Sequence, residues 1–327
     1  MFIGETIALF VALSWTATAL FAEVASKRMG SLPLNTLRMS MSLILLSSTL
    51  WLMMGTPWPR YADGDTWMWL ALSGVVGYVI GDYCLMQGYI YIGSRIGQLF
   101  MTLSAPTAAL TGFLLLGERL RPIAILGMFI TLSGIVLSIL SKSPSPHSDS
   151  PSPVHPRKNA VALSLPKKGV FFAAVAGICQ GFGLVLSKIG LEHYYAAFST
   201  HVLAPSVSPS LYIPFAATFI RASVGLVGFF LFLRLFNPDW KEKLHRAATD
   251  RRAMWCLLGA TVFGPFIGVS ASLLATMYTS TGIAQTLFAL TPVLIIAPSA
   301  IFFHEKVTLR EILGAVLSVG GVSLFFI

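Results

Sequence analysis

Apolar runs of membrane-crossing length, separated by short polar stretches, set the plan of this chain. Ten can be marked, near residues 4–25, 34–54, 66–91, 95–117, 121–141, 168–190, 211–236, 253–278, 280–303 and 308–327. About 20 residues of α-helix span the hydrocarbon core of a bilayer. Strict apolar–polar alternation, the mark of a membrane β-barrel, is absent. Backbone amides and carbonyls in lipid must be satisfied within the segment itself, so the runs predict helices. The first run, Ile7 to Ala22, has Glu5 but no Lys or Arg ahead of it, unlike a secretory leader, and reads as a span. The expected fold class is an all-α integral membrane protein with ten transmembrane helices.

The chain also says the same thing twice. "IGQLFMTLSAP" around Gln98 is followed by "GERLRPIAILG", and "IAQTLFALTP" around Gln285 is followed by "HEKVTLREILG". Gln98 and Gln285, Glu118 and Glu305, Gly127 and Gly314, Gly134 and Gly321 are each 187 positions apart, as are Gly77 and Gly264 one segment earlier. "SK" at Ser26–Lys27 and Ser187–Lys188 is offset by 161, and "LRMSMSL" against "IRASVGL", which sets Arg38 on Arg221, by 183. The growing offset places 22 extra residues between helices 6 and 7, and 4 more between helices 7 and 8. A repeat of half the chain implies two homologous halves of five helices. An odd number of spans per half inserts them in opposite orientation, the inverted repeat of secondary transporters. Between the halves, "SKSPSPHSDSPSPVHPRKN" is Ser- and Pro-rich and reads as a flexible linker.

Composition agrees. Of 327 residues 55% are hydrophobic and 11% charged, against about 25% charged in an average soluble domain. The net charge of +9 does not point to nucleic acid, because the basic residues sit in short loops between apolar runs. Cys84, Cys179 and Cys256 lie in or beside apolar runs without CxxC or Cys/His spacing. No disulfide framework, metal or cofactor is expected.

Both halves carry a proline followed by a "GE-[RK]-[LV]…LG…G"-like stretch after helices 4 and 9, and an "SK…R" pattern joining their first two helices. These residues resemble the EamA-type module of the drug/metabolite transporter superfamily. The resemblance covers nearly the whole chain apart from the linker and the insertion. It implies a first EamA repeat over 1–141, a linker over 142–167, and a second repeat over 168–327 with an insertion at 190–212. It also implies carrier-type transport of a small organic solute, amino-acid-like cargo and export being favoured, in a cell (inner) membrane. The chain departs from the pattern in places. Pro106 and Pro292 miss the 187 offset by one, so the helix breaks are expected to differ slightly. His304 replaces the Gly before Glu305. The insertion reads as a surface loop, with a lid or an interfacial helix at the pore mouth as the alternative.

The repeat helps to locate chemistry, since a costly polar residue present in one half only is not explained by architecture. Asp82 is such a residue, with Val269 as its counterpart. An ionised carboxylate in the bilayer centre costs roughly 3 kcal/mol on insertion scales. Tyr78, Asp82, Met86 and Tyr89 fall at i, i+4, i+8 and i+11, on one helical face. Asp82 is therefore the leading candidate for a substrate ammonium or a coupling proton, against a buried Asp satisfied by a neighbouring helix. Gln98 and Gln285 open helices 4 and 9 equivalently, and Gln180 has only Ala19 opposite it. All three are candidate cavity residues or interhelical glue. Ser14 and Thr18 complete the candidate set, with helix packing as their alternative role. Lys27, Lys188, Arg38 and Arg221 are read as snorkelling to the headgroups from helix ends, so Asp82 is the one deep charge expected. Glu118 and Glu305 are expected to favour the dipole of the helix each precedes.

Orientation is contested. Basic residues crowd the loops after helices 1, 5 and 7, which by the positive-inside rule sets both termini outside. The family resemblance sets them in the cytoplasm. A reporter fused after Ile327 decides between the two. The combined expectation is a secondary active carrier working by alternating access, with a small-molecule substrate, proton coupling through Asp82 as an option, and the lipid bilayer as its solvent. A nucleotide-sugar or phosphorylated-metabolite exchanger is the second reading, and it needs basic groups deep in the cavity. No nucleotide-binding GxxxxGK[ST], HExxH or GxSxG occurs, so an enzyme ranks low, as does a non-transporting scaffold. Cargo, direction, coupling ion and oligomeric state stay open at this stage.

Overall fold

The computed structural model describes residues 2–140, 166–201, 208–296, 298 and 309–324, all of whose regular elements are helices. Residues 141–165 of the linker, Glu305, His304 and residues 202–207 of the insertion lie outside the described residues. The first half comprises α1 (Ile3–Met29), α2 (Ser31–Met54), α3 (Gly64–Gly74), α4 (Tyr83–Met101), α5 (Ser104–Leu116) and α6 (Pro122–Leu140). The second comprises α7 (Lys167–His201), α8 (Pro209–Phe236), α9 (Trp240–Thr249), α10 (Arg251–Thr261), α11 (Ile267–Thr276), α12 (Thr281–Phe288), α13 (Thr291–Leu294) and α14 (Leu309–Ser323). Among the described residues, seven helical stretches are long and apolar enough to cross a membrane. Three shorter apolar helices, Pro122–Leu137, Thr281–Leu294 and Ile312–Val322, stand where the fifth, ninth and tenth spans were expected. Ten full-length spans are thus not what the described residues show.

The breaks in the helices have local causes. Gly93 adopts φ 76° and ψ 163°, a backbone region essentially reserved for glycine, and it separates the third apolar run from the fourth. α5 restarts at Ser104 and α13 at Thr291, which are 187 positions apart. The one-residue misfit of Pro106 and Pro292 therefore leaves the restart points equivalent, contrary to the expectation. Between α3 and α4, Val75–Asp82 is π-helical, and between α10 and α11, Val262–Phe266 is π-helical. These wide turns also begin 187 positions apart. Pro265 removes an amide donor from the second. The Ser14 hydroxyl donates to the Phe263 carbonyl there at 2.7 Å, satisfying an oxygen that lipid cannot.

The two halves pack through each other. α2 lies on α8, α6 on α14, α7 on α4 and α5, and α1 on α10, α11 and α12. Along α6 and α14 the contacts are reciprocal: Thr131 Oγ1 donates to the Ser318 carbonyl at 3.4 Å, and Ser318 Oγ to the Thr131 carbonyl at 3.2 Å. The glycines beside them explain the close approach. A β-carbon on Gly134 would sit 2.6 Å from the Gly314 carbonyl oxygen, and one on Gly321 would sit 2.8 Å from the Gly127 carbonyl oxygen. Equivalent residues that contact each other in this way are related by a local twofold.

Two expectations about connections are corrected. Residues 190–201 of the insertion continue α7 as helix rather than forming a surface loop. Tyr194 and Phe198 are buried there, Tyr194 Oη donates to the Arg60 carbonyl at 2.7 Å, and the Phe198 ring packs tilted against Tyr212. Aromatic burial against the α2–α3 connection stabilises this extension of roughly three helical turns. The basic stretch after α8 forms α9, with Ala247 buried and Lys241, Lys243 and Arg246 exposed.

Candidate functional site

A cavity opens between the halves where the π-helical turns widen the bundle, and Tyr78, Asp82, Met86 and Tyr89 all line it. The shared face follows from their i, i+4, i+8, i+11 spacing, carried from the π turn into α4. Thr18, Gln98, Gln180 and Gln285 line it too. Ser14 does not; its hydroxyl is taken by Phe263, and Thr18 Oγ1 donates to the Ser14 carbonyl at 3.1 Å.

Asp82 is only 5% exposed and both carboxylate oxygens are engaged. Oδ2 forms an ion pair with the Arg38 guanidinium of α2. Oδ1 accepts from Gln180 Nε2 of α7 at 2.9 Å. The same Gln180 nitrogen lies 3.3 Å from the Gly77 carbonyl, so the π turn and α7 are tied at one point. The other glutamines are also occupied. Gln98 Nε2 donates to Tyr89 Oη, while Gln285 accepts from Ser104 Oγ at 3.1 Å and donates to the Gln180 carbonyl at 3.4 Å. In a low-dielectric interior such a network is strong while every member is paired.

Arg38 and Arg221 are where sequence reasoning failed. They are 3% and 4% exposed, line the cavity, and do not snorkel to headgroups. Asp82 is therefore not the one deep charge. A signal was present: Arg221 stands ten residues inside the apolar run 211–236, roughly 15 Å from its end at 1.5 Å per residue, beyond a side chain's reach. The Arg221 guanidinium carbon lies 5.0 Å from the Tyr78 ring centroid, a cation–π arrangement. A β-carbon on Gly77 would approach Arg221 Nη2 to 3.0 Å, so this glycine leaves the guanidinium its room. Apolar side chains of Trp15, Leu184, Met101 and Phe288 complete the wall.

Lys188 behaves differently from expectation as well. Lys188 Nζ is 2.6 Å from Glu118 Oε1, and Glu118 Oε2 accepts from the Thr281 amide at 2.9 Å and its hydroxyl at 2.6 Å. Glu118 thus caps the N-terminus of α12 in the other half, rather than favouring the helix that follows it. Thr281's repeat counterpart Ser94 has its amide 3.1 Å from Glu23 Oε2, and Lys27 pairs with Glu23 Oε1 at 2.6 Å. Each half therefore fixes the start of a cavity-lining helix with a lysine-bound carboxylate. Among the described residues no cluster of three His, Cys, Asp or Glu is placed to hold a metal ion.

The arrangement can hold a small solute among aromatic rings, amides and guanidiniums at the seam between two related halves. A solved crystal structure, described only as that of a protein, superposes with a TM-score of 0.68 at 16% identity, over 98% of this chain and 95% of its own. That likeness shows the fold alone. No curated protein matches the chain. The profile of the EamA-like transporter family matches residues 2–140 and 167–327, one stretch for each half of the repeat. With both repeats matched and the cavity at their seam, the chain belongs to the EamA-like transporter family, a family of membrane transporters of small solutes.

Proposed function

We propose that this protein is a secondary active carrier that moves a small organic solute through the cavity at Asp82 by alternating access. The observation that carries this reading is the convergence of polar groups from both halves on one buried cavity: Asp82 and Gln98 from the first, Gln180, Arg221 and Gln285 from the second. In carriers built from inverted repeats, substrate sites lie at the repeat interface, and one bundle rocks against the other around them. On this reading residues 1–141 and 168–327 are the two repeats, inserted with opposite orientation in a cell membrane.

An amino-acid-like cargo would need an anionic partner for its ammonium, and both oxygens of Asp82 are already engaged. The second reading, an exchanger of phosphorylated or otherwise acidic metabolites, gains from Arg38 and Arg221, which supply the deep basic groups that it requires. Counterflow in proteoliposomes with a panel of amino acids, organic acids and phosphorylated metabolites tests the carrier function. Parallel runs with and without a pH gradient test proton coupling. Accumulation of a labelled solute against its gradient, abolished by Asp82→Asn, is the expected result. Wild-type protein that exchanges no member of the panel would overturn the reading.

A further inference from the structure

The charges of the cavity do not balance. Arg38 and Asp82 neutralise each other, and Gln180 occupies the remaining carboxylate oxygen. Arg221 has no ion pair and no hydrogen bond with any described residue; it lies over the face of Tyr78, and the Asp82 carboxylate, already bound by Arg38 and Gln180, acts on it only at longer range. Its Nε and the Tyr78 hydroxyl are both buried without a hydrogen-bond partner. A lone guanidinium in an apolar interior is strongly disfavoured unless something pairs with it. A guanidinium over a phenol ring, each residue lining the cavity and each carrying an unpartnered donor, has the chemistry of an anion receptor.

Resting on the reading of this cavity as the transport site, we propose that Arg221 and Tyr78 receive the carboxylate of a singly charged organic anion. The guanidinium edge presents parallel N–H donors matched to a carboxylate, and the Tyr78 hydroxyl supplies a further one. Electroneutrality selects the class. One negative charge cancels Arg221 and leaves the cavity neutral. A zwitterion leaves the excess positive charge in place, and a phosphate-monoester dianion reverses it. An amine adds a second unpaired cation. The rest of the ligand meets Trp15, Leu184 and Phe288, so an apolar remainder suits it better than a hydrated one. The Arg38–Asp82–Gln180 group stays intact beside it as a neutral support.

Four solutes test the idea on the purified full-length protein: 4-methyl-2-oxopentanoate (monoanion), leucine (zwitterion), 3-methylbutylamine (cation) and glycerol 3-phosphate (dianion). Each is read by counterflow in proteoliposomes and by ligand-dependent thermal stabilisation in detergent. The monoanion is expected to bind and exchange best. Arg221→Gln weakens it roughly tenfold to a hundredfold, as loss of a charged hydrogen-bond partner does. Arg221→Lys retains part of the binding, and Tyr78→Phe costs a few-fold. The wild-type comparison of the four solutes remains decisive if the variants fail to fold. Stabilisation by the monoanion without counterflow, lost in Arg221→Gln, upholds the receptor and overturns the carrier reading. Counterflow of another class, undiminished in Arg221→Gln, keeps the carrier and overturns the receptor. Equal response to all four, or none, overturns the receptor.

Discussion

Replacing Asp82 by Asn removes the negative member of an ion pair whose side chains are 4% (Arg38) and 7% (Asp82) exposed. Solvent screening is small at that depth, so the full effect of an orphaned charge applies. Breaking a buried pair from one side costs about 3–5 kcal/mol. Here the loss falls toward the upper end, because Asp82→Asn leaves two guanidiniums, Arg38 and Arg221, on one cavity wall with no anion. Arg38→Gln leaves the carboxylate with Gln180 at 2.9 Å and Arg221 on the same wall, so its loss falls toward the lower end. The double variant removes the pair together. Its loss should fall short of the summed single losses by about 2 kcal/mol, within the range found for contacting residues. Equilibrium unfolding in mixed detergent–SDS micelles, followed by tryptophan fluorescence, measures all four proteins. Single variants within about 0.5 kcal/mol of wild type, or strictly additive losses, would refute the reasoning. A neutral Asp82 in the native protein would give that outcome, because Asn would then replace a group of the same shape and charge.

Three further outcomes test the frame around the cavity. Gly93→Ala forces a β-carbon onto φ 76° and should cost about 1–3 kcal/mol in the same unfolding assay; a neutral effect would mean that the bend is relocated. Gly134→Ala sets a β-carbon 2.6 Å from the Gly314 carbonyl and should destabilise by about 1–3 kcal/mol through separation of α6 and α14, read as faster thermal inactivation. Asp250 accepts from Arg28 at 2.7 Å and from the Ala253 amide at 3.1 Å, which hold its carboxyl below the ordinary value. The stability it lends to the start of α10 is therefore present above the usual Asp value of about 3.9 and fades as pH falls through the lower folded one. Asp250→Asn should speed amide exchange at the first turn of α10 at neutral pH and match wild type at the acid end; a difference that persists there would count against the capping role.

Much of this molecule is written in one dimension. A run of apolar residues is helical in lipid because the backbone has no other partner, and the 187-residue offset brought the two halves into register before any coordinates. Gly93 falls in the gap that hydropathy marks between the third and fourth runs, whereas the restarts at Ser104 and Thr291 lie inside runs that hydropathy marks as continuous. Asp82 stood out because one half carries it and the other does not. The one-face spacing of Tyr78, Asp82, Met86 and Tyr89 correctly put all four on a common wall.

Pairing is what the sequence does not encode legibly. That Asp82 meets Arg38, 44 positions away, and Gln180, 98 positions away, depends on how α2 and α7 pack against the π turn. Arg38 and Arg221 resembled interfacial anchors, since a repeated cation in an apolar run has the same pattern whether it faces headgroups or a cavity. The same limit hid Glu118, which caps a helix in the opposite half. Apolar periodicity fixes which segments are helices, because each satisfies its own backbone. Charge partners, the empty donors of Arg221 and Tyr78, and the cavity between them arise only when distant helices come into contact. Tertiary packing therefore decided the sign of the charge that the cavity offers.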